Sequence, residues 1–138
     1  MSDVLADTHA LVWSLFDPDR LSQPALSALT RASQVGRIFI STVTLVELNY
    51  LAGRPTFPYP DAFTQVLSLV ANPGEPLQAL PLSPGVVQTL DRVPRGEVPD
   101  MPDRIIAATA VCYRLPLVSS DEAVRKSVGL NAHVSVVW

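Results

Sequence analysis

Five short apolar runs punctuate this chain: Val4 to Ala6, Arg37 to Ser41, Gln78 to Leu82, Pro116 to Ser119 and His133 to Val137. Each is bounded by turn or capping residues and reads as a strand. The segments between them carry helical periodicity. Strands separated by helices are joined by crossovers, so they lie parallel in one sheet. The expected architecture is therefore α/β, a sheet of about five mainly parallel strands flanked by helices on both faces. The third run contains Pro81, which cannot donate to a central ladder, and is expected at an edge.

The helices announce themselves through caps and stops. After Asp7-Thr8-His9, a first helix runs from Ala10 to Phe16 and closes at Asp17-Pro18. Ser22 caps a second from Gln23 to Gln34, with Ala25, Leu26 and Leu29 inward and Gly36 as its stop. Thr42 or Thr44 caps a third, Val43 to Ala52, ended by Gly53. A fourth spans Pro60 to Asn72, with Phe63, Val66, Leu67 and Val70 inward, and Ser83 caps a fifth that reaches Val93. Ten of the 13 prolines fall between Pro55 and Pro102, so this middle region is built of elements joined by firm turns. Asp100 caps the next helix and Pro102 suits its first turn, with Ile106, Ala107, Ala110 and Val111 as an apolar stripe. A short helix from Asp121 to Lys126 follows the fourth strand, with Gly129 as a stop.

Two acids break the binary pattern. Asp103 shares the stripe of Ile106 and Ala107, and Glu47 shares a helical face with Val43, Val46, Tyr50 and Leu51. A charge on an apolar face is costly unless something pairs with it. Asp7 and Asp121 directly follow strands, and ligands of parallel sheets bind at the carboxyl ends of strands. Asp7, Glu47, Asp103 and Asp121 are thus expected to face one cleft. Hard oxygen ligands without histidine or cysteine suit Mg²⁺ or Mn²⁺, ions that activate water against a phosphodiester. Thr8, Ser41, Ser119, Ser120 and Asp100 stand beside the four acids and are expected to hold them in place. Arg104, Arg54 and Arg95 are candidates for contact with substrate phosphates, with Arg92, Arg125 and Lys126 as further cations near the cleft.

Other readings of the same residues stand beside these. Asp7, Asp100 and Asp121 all suit helix caps, and Asp100 with Asp103 has capping-box spacing. His9 and His133 read as packing or surface residues, and Cys112 as a small core residue. Trp13, Phe16 and Tyr50 read as core or dimer surface, in which case stacking on bases adds little to substrate choice.

The order and context of these residues resemble the PIN-domain ribonucleases, above all the VapC toxins of prokaryotic toxin–antitoxin pairs. The likeness rests on Asp7-Thr8-His9-Ala10-Leu11-Val12-Trp13, Ser41 with Glu47-Leu48, Asp100-Met101-Pro102-Asp103-Arg104 with the run to Ala110, and Leu117-Val118-Ser119-Ser120-Asp121. It covers nearly the whole chain. It implies a five-stranded parallel sheet and Mg²⁺- or Mn²⁺-dependent endonuclease activity on RNA. It also implies a homodimer, an antitoxin that blocks the cleft, and Asp7, Glu47, Asp103 and Asp121 as the acidic quartet. Ser119 stands where the family commonly has threonine, and the segment from Arg54 to Asp61 is unusually rich in proline. The competing class is a catalytically silent module of the same fold that binds a partner protein.

Composition sets the outer limits. At 138 residues and 48% hydrophobic, the chain is expected to form one globular domain, residues 1–138. A net charge of −3 argues against a wholly basic nucleic-acid coat and leaves room for a metal-bridged phosphate. One cysteine allows no internal disulfide, no basic apolar leader is evident, and the longest apolar run is too short for a bilayer. A cytoplasmic protein that does not enter the membrane is the expectation.

Overall fold

The computed structural model describes residues 2–138. Its strands are β1 (Val4–Ala6), β2 (Ile38–Ser41), β3 (Leu77–Leu80), β4 (Leu117–Val118) and β5 (Val136–Val137). They form one sheet in the order β3-β2-β1-β4-β5, and every pairing is parallel. The expected sheet is therefore present, with β3 at an edge. Strand order reverses between β1 and β4, which are bonded in register Leu5 to Leu117 and Ala6 to Val118. That reversal opens a crevice at the carboxyl ends of these two strands.

Alternation along the strands divides the interior in two. Val4, Ala6, Ile38, Ile40 and Val118 face one core, while Leu5, Phe39 and Leu117 face the other. Helices α1 (Thr8–Phe16), α2 (Gln23–Val35), α3 (Thr42–Ala52) and α4 (Ala62–Ala71) pack on the first. Helices α5 (Pro84–Thr89), α6 (Met101–Tyr113), α7 (Glu122–Lys126) and α8 (Val128–Asn131) pack on the second. Both layers are needed because a parallel sheet buries both of its faces.

Helix α6 is the central strut. Ile106, Ala107, Ala108, Thr109, Ala110 and Val111 are all buried, so the apolar surface runs around the helix rather than along one stripe. Alanines let its neighbours approach closely, and Thr109 satisfies its buried hydroxyl on the Ile105 carbonyl at 2.8 Å.

Several expectations change at the ends of elements. Ser41, not Thr42 or Thr44, caps α3, with its Oγ accepting from the Val43 amide at 3.1 Å. Gly129 does not end a helix. Ser127 opens α8 by accepting from the Leu130 amide, and Gly129 lies inside that turn. A Cβ there would sit 2.6 Å from Pro94 Cγ, so the glycine permits close packing rather than a stop. On α4, Ala62 and Val66 are buried, whereas Leu67 is exposed. Among the described residues, no helix is long and apolar enough to cross a membrane.

Candidate active site

The crevice between β1 and β4 is lined by acids. Asp7 ends the loop out of β1 and caps α1, its Oδ1 accepting from the Ala10 amide at 2.8 Å. Asp121 lies just past β4 and caps α7, its Oδ1 accepting from the Val124 amide at 2.9 Å. Asp100 caps α6, its Oδ2 accepting from the Asp103 amide at 3.1 Å. Capping and cleft formation are thus the same act. A residue that caps a helix at the carboxyl end of a strand projects its carboxylate into the crevice. Asp103 comes from the first turn of α6 and Glu47 from α3, and all five carboxylates line one cavity of about 250 Å³.

The surrounding hydroxyls divide into those that hold acids and those that do not. Thr8 Oγ1 donates to Glu47 Oε1 at 2.6 Å and lies 3.1 Å from Thr44 Oγ1. Ser119 Oγ accepts from the Asp121 amide at 3.1 Å and lies near enough to the Asp7 carboxylate to favour its charged form. Ser120 lines the cavity. Ser41 is fully buried and spends its hydroxyl on the α3 cap, so it does not line the cavity.

The electrostatics follow from crowding. Burial pushes the Asp7 carboxyl above its ordinary value, and Ser119 and the Ala10 amide hold it partly down. Burial also raises Asp103, and the charges of Asp121, Asp100 and Glu47 add to the effect, bringing it to about 7. A cluster that retains protons near neutrality lacks positive charge. Among the described residues, no three acidic, histidine or cysteine side chains stand close enough together to grip a metal ion at once. An open, all-oxygen set fits Mg²⁺ or Mn²⁺, which keep several waters and need few protein ligands. Asp7, Glu47, Asp103 and Asp121, with Asp100 at the rim, are the residues present to hold such an ion.

Three sequence expectations need correction. Arg104 does not face the cleft. It is 8% exposed, and its guanidinium donates from Nε to the Val93 carbonyl at 2.8 Å and from Nη2 to the Leu90 carbonyl at 2.7 Å. One residue along a helix is a turn of about 100°, so a neighbour of Asp103 points elsewhere. Arg54 lies over the Tyr50 ring at 5.4 Å, and neither it nor Arg95 lines the cleft. Nor does Glu47 sit in a buried stripe. The buried face of α3 is Thr44 and Leu48, whereas Val46 and Tyr50 are 66% and 65% exposed. Glu47 stands at the border between cleft and open apolar surface. His9, which reads from the sequence as a packing or surface residue, lines the cavity. Its position in the first turn after Asp7 was the available signal.

The PIN domain family model matches residues 4–128. Ribonuclease VapC22 of Mycobacterium tuberculosis strain H37Rv is 29% identical over 125 residues, covering 91% of this chain and 92% of that protein. VapBC2 from Rickettsia felis, solved bound to a DNA fragment from its promoter, is similar in fold with a TM-score of 0.67 at 14% identity, over 97% of this chain and 96% of that one. DNA-bound VapBC from Salmonella typhimurium gives 0.68 at 17% identity, over 99% of this chain and 97% of that one. The family match begins at β1, contains every acid of the cleft and ends at the start of α8, and on that ground the chain belongs to the PIN domain family.

Proposed function

We propose that the protein is a divalent-metal-dependent endoribonuclease, the toxin of a toxin–antitoxin pair. The observation that carries this reading is the convergence of Asp7, Glu47, Asp100, Asp103 and Asp121 on one small cleft with no lysine or arginine in its lining. Such a cleft repels a phosphodiester until a cation enters. Asp7, Glu47, Asp103 and Asp121 would hold the ion, with one or two ions compatible with the donor set. When bound, Mg²⁺ or Mn²⁺ neutralises charge on the phosphodiester and makes water a better nucleophile. The chain's own part is placement. Thr8 fixes Glu47, the Ala10 amide fixes Asp7, and the α7 amide of Val124 fixes Asp121. In the hydrolysis, water's oxygen bonds to phosphorus and gives up a proton, the bond from phosphorus to one ribose oxygen breaks, and that oxygen takes up a proton to leave as a hydroxyl.

The similar ribonuclease from M. tuberculosis and the VapBC complexes support both halves of this reading. An antitoxin segment has a seat beside the cleft. Val46, Tyr50, Leu51 and Pro102 form an apolar shelf that shares His9 and Glu47 with the acidic cavity. An apolar helix face resting there would cover the cleft mouth. A homodimer in the cytoplasm belongs to the same reading, and sedimentation of the purified chain measures the former.

The test is cleavage of a mixed RNA pool by the purified protein with Mg²⁺ or Mn²⁺, beside a chelator control and the variants Asp7→Asn and Asp103→Asn. Cleavage is expected only with metal and is expected to fall to background in both variants. Cutting that persists in Asp7→Asn and Asp103→Asn would sink the proposal.

A further inference from the structure

A nuclease cleft made of carboxylates leaves a problem of affinity. No lysine or arginine lines it, so the contacts that hold a polyanion must lie next to it. Ser120 marks where. It lines the acidic cavity and also a second groove of about 610 Å³ beside it. The second groove carries the cations that the first lacks, with Arg125 and Lys126 in its walls beside Glu122, Val136 and Trp138.

Arg125 is exposed and forms no ion pair among the described residues. Lys126 pairs with Glu122, but the two side chains are 74% and 76% exposed. An ion pair so open to water is worth little, and a phosphate can take its place. Trp138 is partly buried and is braced by another indole, with ring centroids 5.8 Å apart and planes tilted by 55°. Trp13, its brace, carries the Arg20 guanidinium 4.7 Å from its ring centroid. The Trp13 ring also lies 5.6 Å from that of His9, which lines the acidic cavity. An aromatic row therefore joins the carboxylate cleft to the basic groove.

Cations spaced along a groove with an aromatic platform are the pattern that binds single-stranded nucleic acid, phosphates on the cations and bases on the rings. A duplex cannot use the platform, because its bases are already stacked and paired. We infer that the groove of Arg125, Lys126 and Trp138 carries the RNA strand beyond the scissile phosphate, with one unstacked base against Trp138. The inference rests on the nuclease reading of the cleft.

The experiment pairs steady-state cleavage of a short single-stranded RNA with binding to the cleavage-silenced Asp103→Asn chain, followed by tryptophan fluorescence. The same RNA annealed into a duplex and a poly-glutamate chain serve as controls. Trp138→Leu is expected to raise KM for the single strand by about five- to hundredfold, the loss typical of a removed stacking platform, rather than to lower kcat. Trp138→Phe, which keeps an aromatic face, is expected to recover most of it. Arg125→Gln, an exposed change that leaves the core untouched, is expected to reduce the slope of log affinity against log salt by about one. An unmoved KM and salt slope in Trp138→Leu and Arg125→Gln, with cleavage intact, would overturn the groove and spare the nuclease. Fluorescence quenching by single-stranded RNA without any cleavage would do the reverse. Equal quenching by poly-glutamate or by duplex would overturn the single-strand assignment.

Discussion

Asp103 carries the conflict between burial and charge in its sharpest form. Its carboxyl is raised to about 7 from an ordinary value near 3.8, by burial first and then by Asp121, Asp100 and Glu47. Because the folded value lies above the unfolded one, the folded state binds more protons between these limits. Stability therefore falls as pH rises from about 4 to about 7, and the raised Asp7 acts in the same direction. Asp103→Asn removes the charge and keeps the shape. Without metal, the variant is expected to be more stable than the parent by about 1–2 kcal/mol near pH 8, a figure discounted for the half-exposed setting of the group. Near pH 4, where the carboxyl is protonated in both states, the gain is expected to vanish. Urea unfolding at the two pH values measures it, and an equal effect at both would show that charge crowding is not the cause.

At the scale of elements, α6 does two jobs on two faces. One turn of it presents Asp103 and the Asp100 cap to the cleft, while Arg104 ties it to the segment after α5. That segment ends in a single helical turn whose Leu90 carbonyl already accepts the Val93 amide at 3.0 Å, and the guanidinium adds a second bond there and serves the Val93 carbonyl. Arg104→Met keeps the apolar stem, removes two charge-assisted hydrogen bonds and leaves the Val93 carbonyl without its donor. The expected cost is about 2–4 kcal/mol in urea unfolding, with the affinity of the folded protein for RNA unchanged. A loss of RNA affinity without a loss of stability would return Arg104 to the substrate. The pairing of Glu97 with Ser127 Oγ at 2.7 Å and the Gly129 amide at 3.0 Å makes a second such tie, from the loop before α6 to α8. Both ties brace the strut that positions the acids.

The whole molecule is a sheet with two filled faces and one acidic crevice where strand order reverses. Folding energy from the two cores holds together like charges that would separate if free. A divalent cation that binds only the folded arrangement is therefore expected to stabilise the entire fold. At a concentration of about a hundred times its dissociation constant, the gain is about 2.7 kcal/mol, several degrees in Tm. Thermal unfolding with Mn²⁺ or Mg²⁺ against a monovalent salt of equal ionic strength measures it. Asp7→Asn is expected to shrink the shift, and a shift of the same size in that variant would place the ion elsewhere.

What the sequence by itself determined were the features set by near neighbours along the chain. Alternating strands and helices dictated a parallel α/β sheet, and Ser22, Ser83, Asp100 and Asp121 declared helix starts that the structure keeps. Asp7 and Asp121 were legible for the same reason, since an acid at a strand end that caps the next helix has little choice of direction, whereas Glu47 and Asp103 stood out as charges among apolar helix residues. Side-chain orientation on a helix with more than one apolar face was not legible. Val46 and Tyr50 look as buried as Leu48 in the sequence, and only packing against neighbouring helices decides between them. The fate of each arginine was hidden too. A long, flexible side chain goes wherever unpaired carbonyls, rings or open water await it, and those partners lie far away along the chain. Tertiary structure alone buried Arg104, left Arg125 exposed, and drew Trp13 and Trp138 into one row beside the acids.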